Sequence, residues 1–322
     1  MHDTDLLLLD LPLISDADAA YGFYVAMADN AGPSWPGAGL YVSKDLGVTY
    51  ENLGISTQPD TFGVASTTLG SFGGGNVFDE SSRVTIVLTA GSGALSSTSE
   101  LAVLNGANVA ALGAEVIQFK NAVATVTGPA PGSTRTYVLS GLLRGRRGTE
   151  WATGLHAAAE TFVVLPTKLA ISGDYNDLER EFWYKAVTNG TTLALAKSHL
   201  FTNTGVTLRG YAPVHLGGGR NAAGDVILTW ERRERTHGAW LDGADVPVSS
   251  AGLHFLVNVY SDSGYGTKLY SPSIVFSAGA VLTLTLTAAQ QTSLFGSPQS
   301  TLYWGVLDES TRYNGIEARG ST

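Results

Sequence analysis

The stretch Ala280-Val281-Leu282-Thr283-Leu284-Thr285-Leu286-Thr287 places Leu282, Leu284 and Leu286 on one side and the threonines on the other. A spacing of two sorts side chains only in an extended strand with one covered face. The same short β-branched or aromatic runs recur along the chain: Tyr21–Met27, Gly39–Ser43, Arg83–Thr89, Glu115–Phe119, Val123–Thr127 and Thr136–Ser140. They continue at Thr161–Leu165, Val226–Glu231, Phe255–Tyr260 and Thr301–Leu307.

Turn formers separate these runs. The 322 residues include 39 glycines and 11 prolines, too much punctuation for a helical protein. Gly and Asn reach positive φ at little cost, so Asp45–Gly47, Gly70–Asn76, Gly91–Gly93, Gly128–Gly132, Gly217–Gly219 with Asn221–Asp225, and Ser261–Gly266 read as turns. Helix is expected only at Ser99–Asn105, Asp174–Glu181 and Ala288–Leu294, the last capped by the Thr287 hydroxyl and stopped by Gly296. A hydrophobic fraction of 44% supplies enough apolar surface for real cores. The expected class is all-β, with sandwich or barrel modules in tandem and very little helix.

Boundaries fall near Pro166, where a dense β segment gives way to the polar Ser172–Asp177, and near Tyr211-Ala212-Pro213. Three segments follow: a β-rich domain over residues 1–166, a connecting segment with a short helix and strands over 167–211, and a last domain over 212–322. In that domain Trp230 shares a strand face with Val226 and Leu228, and further strands follow at Val257–Tyr260, Leu282–Leu286 and Leu302–Leu307. Two facing sheets need a bulky plug between them, so this segment reads as a fibronectin-III-like β-sandwich.

Charge and motif searches remove whole classes of function. Nineteen Lys and Arg against 28 Asp and Glu leave a net charge of −9, which repels a phosphate backbone, so nucleic acid is not an expected partner. With no cysteine there are no disulfides, thiolate-bound metals or thiol nucleophiles. Leu6–Leu9 and Leu11 stand among Asp3, Asp5 and Asp10, a run too short and too acidic for a signal peptide or a membrane span.

No Gly-x-Ser-x-Gly elbow occurs, and Gly91-Ser92-Gly93 reads as a hairpin turn. His2, His156, His199, His215, His237 and His254 never stand at the i, i+4 spacing of two helical zinc ligands. Asp174, Asp177, Glu179 and Glu181 lack the glycine and terminal glutamate of a calcium loop and read as a solvated turn. Asp16/Asp18 and Asp242/Asp245 are weak candidates for a glycosidase pair. Gly73–Asn76 and Gly217–Arg220 lack the Gly-Lys-Ser/Thr of a phosphate cradle. No catalytic residue, metal or cofactor is expected.

Two features remain. Arg144-Gly145-Arg146-Arg147-Gly148-Thr149-Glu150 concentrates positive charge that could clamp a carboxylate or phosphate. The preferred reading is a structural or interface loop whose Arg144, Arg146 and Arg147 pair with Glu150 or with a neighbouring subunit. Among the tryptophans, Trp230 and Trp304 are expected as buried plugs. Trp35 and Trp240, set among Gly and Pro, are the candidates for exposed platforms that stack on sugars.

Specific strings then carry a resemblance. Leu142-Leu143-Arg144-Gly145-Arg146-Arg147-Gly148-Thr149-Glu150-Trp151-Ala152, preceded by Leu104–Asn108 and Glu115–Phe119, resembles the C-terminal region of the tail-tip or baseplate hub protein of siphophages and gene transfer agents. Asp10–Leu13 and Trp35–Ala38 extend the likeness upstream. Phe182–Val187, Phe201–Gly205, Ala212–Leu216 and Leu228–Arg233 extend it downstream, so that it covers nearly the whole chain. The resemblance implies a structural virion protein at the distal end of the tail, extracellular when mature, whose first domain is of the hub type. It would support host attachment and the docking of adhesins or fibres.

The partners so implied are other tail or baseplate proteins, copies of itself in a trimer, and a host surface glycan or receptor. In that family such a segment ends a much longer chain, so the sequence is expected to be a fragment or the product of a split gene. A carbohydrate-binding receptor-recognition module is the alternative, and a glycan-degrading tail enzyme the second alternative.

Overall fold

The computed structural model describes residues 3–18, 21–29, 34–126, 135–165, 169–236, 253–277 and 279–322. The chain divides into two compact units, Met1–Thr207 and Leu208–Thr322.

The N-terminal unit begins with β1 (Thr4–Leu9), β2 (Phe23–Asp29), β3 (Ala38–Ser43), β4 (Glu51–Ser56), β5 (Phe62–Ala65) and β6 (Asp79–Leu88). After α1 (Glu100–Leu104) come β7 (Val109–Leu112), β8 (Glu115–Val126), β9 (Arg135–Arg146) and β10 (Thr161–Val164). The unit ends with β11 (Leu169–Ile171), β12 (Glu181–Thr188) and β13 (Ser198–Thr202).

Strands β10-β5-β6-β9-β8-β7 close into an antiparallel barrel, β7 returning to β10. Its interior holds Ile86, Ile117, Phe119, Leu139 and Phe162, delivered by alternate positions of the strands. Two further sheets, β1-β2-β11 and β13-β12-β3-β4, enclose a second core around Met27, Leu40 and Phe182. Strand β2 is covered on both faces: Phe23, Val25 and Met27 enter that second core, while Ala26 and Ala28 pack with Phe62, Val116 and Val163 of the barrel strands.

This topology corrects the expected connecting segment at 167–211. Ala170 pairs with Tyr24 and Ala186 with Leu40, so β11 and β12 complete sheets begun before the barrel. The polar stretch at Ser172 is an exposed crossing between strands of two different sheets. Glu115–Phe119 and the Val123–Val126 part of the next run, read as separate, belong to the single 12-residue strand β8, while Thr127 lies outside the described residues. The helix expected over Asp174–Glu181 is only a 3-10 turn at Tyr175–Asp177, because Glu181 already opens β12.

The C-terminal unit contains β14 (Val214–Arg220), β15 (Val226–Glu231), β16 (His254–Tyr260), β17 (Lys268–Tyr270), β18 (Ser273–Val275) and β19 (Leu282–Leu286). Helix α2 (Ala288–Phe295), β20 (Tyr303–Glu309) and β21 (Ala318–Ser321) complete it. Sheet β14-β15-β19 faces β17-β16-β20-β21, with β18 also on β16, in the layered order of a fibronectin-III-like sandwich. The plug is aromatic: Trp230 meets Phe255 and Trp304 at centroid distances of 6.0 and 6.3 Å. Gly217–Gly219 lie inside β14 instead of in a turn, and a Cβ on Gly218 would come within 2.4 Å of the Thr322 side chain. The turn itself is Asn221–Asp225, where the Asn221 carboxamide oxygen accepts from the Ala223 and Asp225 N–H groups.

Candidate functional site

The arginine string is part of a strand. Leu142 to Arg146 form the end of β9, with Leu142 in the barrel core and Leu143 buried beside it. Between Val116 and Gln118 of β8 the register slips by one residue, making a bulge at Arg144-Gly145. Gly145 adopts φ +59, and a Cβ there would come within 2.8 Å of the Glu150 Cα, so this position requires glycine.

The bulge turns Arg144 into the protein, where its side chain is 1% exposed. Its guanidinium makes a forked contact with Glu115, Nε to Oε1 at 2.9 Å and Nη2 to Oε2 at 2.9 Å. Nη1 donates to the Gly70 carbonyl at 3.0 Å and to Asp79 Oδ2 at 3.3 Å, and Nη2 also donates to the Thr153 carbonyl at 3.1 Å. The Gly145 N–H adds a 2.6 Å bond to Glu115 Oε1. His156 completes the cluster, with Nε2 2.6 Å from Glu115 Oε2 and Nδ1 2.7 Å from Glu160 Oε2.

Burial works against a charge on His156, but the bonds to Glu115 and Glu160 outweigh it and raise its pKa above the ordinary imidazole value. Burial also works against the Glu115 carboxylate, and is outweighed by His156 and Arg144, which hold its pKa below the usual range. The Asp79 pKa is likewise lowered, the bonds from Ser82 and Ser81 prevailing over burial. The signs define a window: the carboxylates contribute stability above their unfolded pKa values and lose it as pH falls, whereas His156 contributes below its unfolded pKa and loses it as pH rises through its raised value. The rest of the string stitches the strands. The Thr149 hydroxyl donates to the Arg146 carbonyl at 2.7 Å and accepts from the Val116 N–H at 2.9 Å.

The other expected site residues are dispersed. Arg144 takes Glu115 and Asp79 as partners in place of Glu150, because the bulge points it inward. Arg146 donates to Gln118 and to Asn76, and Arg147 stands exposed in the left-handed region at φ 56. Glu150 opens a 3-10 turn, Glu150–Ala152. Trp35 is no platform: it is buried, and its indole N–H donates to Thr4 Oγ1 at 2.9 Å, since the Gly and Pro around it lead into β3. Trp240 lies outside the described residues, as do Asp242 and Asp245. Among the described tryptophans the exposed one is Trp151.

Trp230 and Trp304 are buried as expected. Ser92 sits in a packed loop, not a hairpin, accepting from the Phe62 N–H and donating to the Asp60 carbonyl. Among the described residues no group of three or more His, Asp or Glu is arranged to hold a metal ion.

Sequence reasoning missed Asp79, Glu115, His156 and Glu160. The available signal was Glu115 at the head of the apolar Val116-Ile117-Gln118-Phe119, since a charge on a core strand requires a buried partner. His156 and Glu160 stand four apart, a pairing that a search for two histidines passes over.

Two hollows open in the N-terminal unit. One, of about 260 Å³, is lined by Leu9, Ile14, Val163 and Leu165, with Tyr24, Asp18 and Arg147 as polar members. Tyr24 donates to Asp18 and accepts from the Ile14 N–H, and burial raises its pKa. The second, of about 300 Å³, lies beside β12 and the 3-10 turn that precedes it.

The family described as "Rcc01698-like, C-terminal" matches residues 60–163. That span coincides with the barrel, from β5 through β10, and contains the bulge, Arg144 and all of its partners. No curated protein matches the sequence. Among solved structures, the chain is similar to the chicken interferon gamma receptor alpha chain, at 11% identity over 80% of this chain and 97% of that one, with a TM-score of 0.24. It is also similar to the FN1–FN3 domains of chicken CNTN1, at 8% identity over 100% and 97%, with a TM-score of 0.23. Such superpositions are too loose to define a fold, which rests here on the strand pairings themselves.

Proposed function

We propose that this chain is a structural protein of the distal tail of a phage-like particle, the C-terminal region of a tail-tip or baseplate hub that supports host attachment and holds adhesins or fibres. The observation that carries the reading is the fate of the arginine string. Within the string that resembles the hub family, Arg144 and Gly145 are spent on bulging β9 and anchoring it to Glu115 and Asp79, which supports a framework role. The "Rcc01698-like, C-terminal" match over the same barrel supports the family assignment. Tandem modules held by internal contacts suit a part that transmits load between neighbours. The partners in this reading are other tail or baseplate proteins and further copies of the chain, and no catalytic step is assigned to it.

Deleting the gene from the particle-producing strain tests the proposal. The expected result is particles that lack a complete tail tip or fail to attach, with attachment restored by the wild-type gene. Particles that assemble and deliver their contents at the wild-type level without the chain would overturn it, as would immunolabelling that places the chain away from the distal tail.

A further inference from the structure

The second hollow has a composition that framework packing does not require. Its floor is Tyr184 of β12, whose ring is held edge-on by Phe23 at 5.5 Å and Phe201 at 6.0 Å. Tyr184 is only 5% exposed, and among the described residues no protein group bonds to its hydroxyl, while the residue itself lines the hollow. A phenol that lines a hollow and has no protein partner can donate to whatever fills that hollow. Burial and the neighbouring Asp177 push its pKa up to about 12, so at neutral pH it is a protonated donor.

Above the floor, Lys44 and Arg180 lie over the Phe182 ring at 5.6 and 5.1 Å, and both pair with Asp177. Asp174 accepts from Asn176 through Oδ1, leaving Oδ2 without a protein donor. At the rim Tyr21 is 41% exposed and meets Tyr175, also 41% exposed, edge to face at 5.5 Å. All of these residues belong to the N-terminal unit.

The chemistry of the occupant follows by elimination. An anion would meet the carboxylates of Asp174 and Asp177, and a cation would meet Lys44 and Arg180. A purely apolar ligand would displace water from the Tyr184 hydroxyl and offer it no acceptor in return. A neutral group with several hydroxyls can both accept from Tyr184 and donate to Asp174, while its C–H face packs on the exposed ring of Tyr21. A hollow of about 300 Å³ stands at the lower end of the roughly 300–1,000 Å³ typical of small-molecule sites, which suits one sugar ring.

We infer that this cleft binds a neutral saccharide unit, with the Tyr184 hydroxyl at its floor, Asp174 at its side and Tyr21 at its rim. The inference goes beyond the framework role proposed above and does not depend on it. It also places sugar recognition on residues other than Trp35 and Trp240.

The test uses the 322-residue protein and a panel of probes: the methyl glycosides of glucose, galactose, mannose and N-acetylglucosamine, with glucuronate as the charged comparison. Saturation-transfer NMR should show transfer to at least one neutral glycoside. Tyr184→Phe, which removes only the hydroxyl, should weaken that binding about tenfold with an unchanged thermal midpoint. Tyr21→Ala, at the exposed rim where folding is not at stake, should weaken it by a similar factor. Transfer to none of the probes, transfer to glucuronate alone, or affinity unchanged in both variants would overturn the inference.

Discussion

The two units solve the same problem, holding β-sheets face to face, around centres of different chemistry, though the sandwich unit also keeps a nearly buried Arg232–Glu234 pair. In the C-terminal sandwich the space between sheets is filled by Trp230, Phe255 and Trp304, and the core cluster around them is apolar. In the barrel, an apolar interior is joined to a buried set of charges, with Arg144 and His156 against Asp79, Glu115 and Glu160. A sandwich gains stability roughly in proportion to the apolar area it covers, and small changes of shape are absorbed by repacking. A buried ion cluster adds little net stability over an apolar replacement, but it is unforgiving when one partner is lost. The contrast teaches that the barrel is built for geometric fixity, because the bulge at Gly145 is held in place by the same Glu115 that holds Arg144.

The sharpest way to break this contrast is to remove Arg144. Arg144→Met leaves Asp79 buried without its cation and Glu115 with His156 as its remaining cationic partner, and the expected loss is about 3–5 kcal/mol. In urea unfolding of the whole chain the loss should fall on the N-terminal unit alone. A loss under about 1 kcal/mol, typical of exposed ion pairs, would remove the charge cluster as the distinguishing feature of the barrel. The mirror experiment is Trp304→Ala, which opens a large cavity in the sandwich at a cost of about 3–5 kcal/mol. Here only the C-terminal unit should be affected. The two variants combined should add, since they share no partner, and strong non-additivity would show that the units are energetically one body.

A smaller effect tests whether the sandwich is as free of buried-charge cost as its core suggests. Burial, then the negative charge of Glu234, raise the pKa of Asp308 to about 6, against a partial opposing pull from Arg235. A carboxyl with a raised folded pKa favours the folded state at low pH and loses that advantage as pH rises toward the folded value. Asp308→Asn should therefore stabilise the C-terminal unit at pH 7, by about 1–2 kcal/mol after allowance for its partial exposure, and the gain should vanish near pH 4. Thermal midpoints of the two proteins across that range measure the difference. A gain that is constant with pH would show that the carboxylate charge plays no part.

What the amino-acid order made legible follows the reach of each interaction. Local patterns were readable: Val226, Leu228 and Trp230 face inward as their alternation required, and β19 carries its leucines on the covered side. Pairings between distant strands were not. Nothing in Leu169–Ile171 or Glu181–Thr188 announces that these residues return to β2 and β3, because each run is compatible with many partners until the barrel between them has folded. The site was half legible. Arg144 stood out as the first of a concentrated run of arginines, but its partners lie 29 and 65 residues away, and whether the arginine faces solvent or core depends on a single-residue bulge. The cleft at Tyr184 was invisible for a related reason, since it is assembled from β2, β3, β12 and their connections.

The smallest expected effect belongs to the element that sequence described best, α2. Thr287 accepts from the Gln290 N–H, Gln290 reaches back to the Thr287 N–H at 2.8 Å, and Gly296 ends the helix in the left-handed region at φ 82. Thr287→Ala removes the hydroxyl half of this reciprocal cap and should lower the stability of the C-terminal unit by about 1 kcal/mol. The Asp225 carboxylate also accepts from the Ala288 N–H at 2.9 Å, which shields the helix start and keeps the loss from growing larger. Thr287→Ser, which retains the oxygen, should recover most of the difference in the same denaturation experiment. If the alanine variant matches wild type, the helix is held to the sandwich by its packing and by Asp225, and the contrast with the barrel widens: one unit would then tolerate loss of a polar anchor that the other cannot.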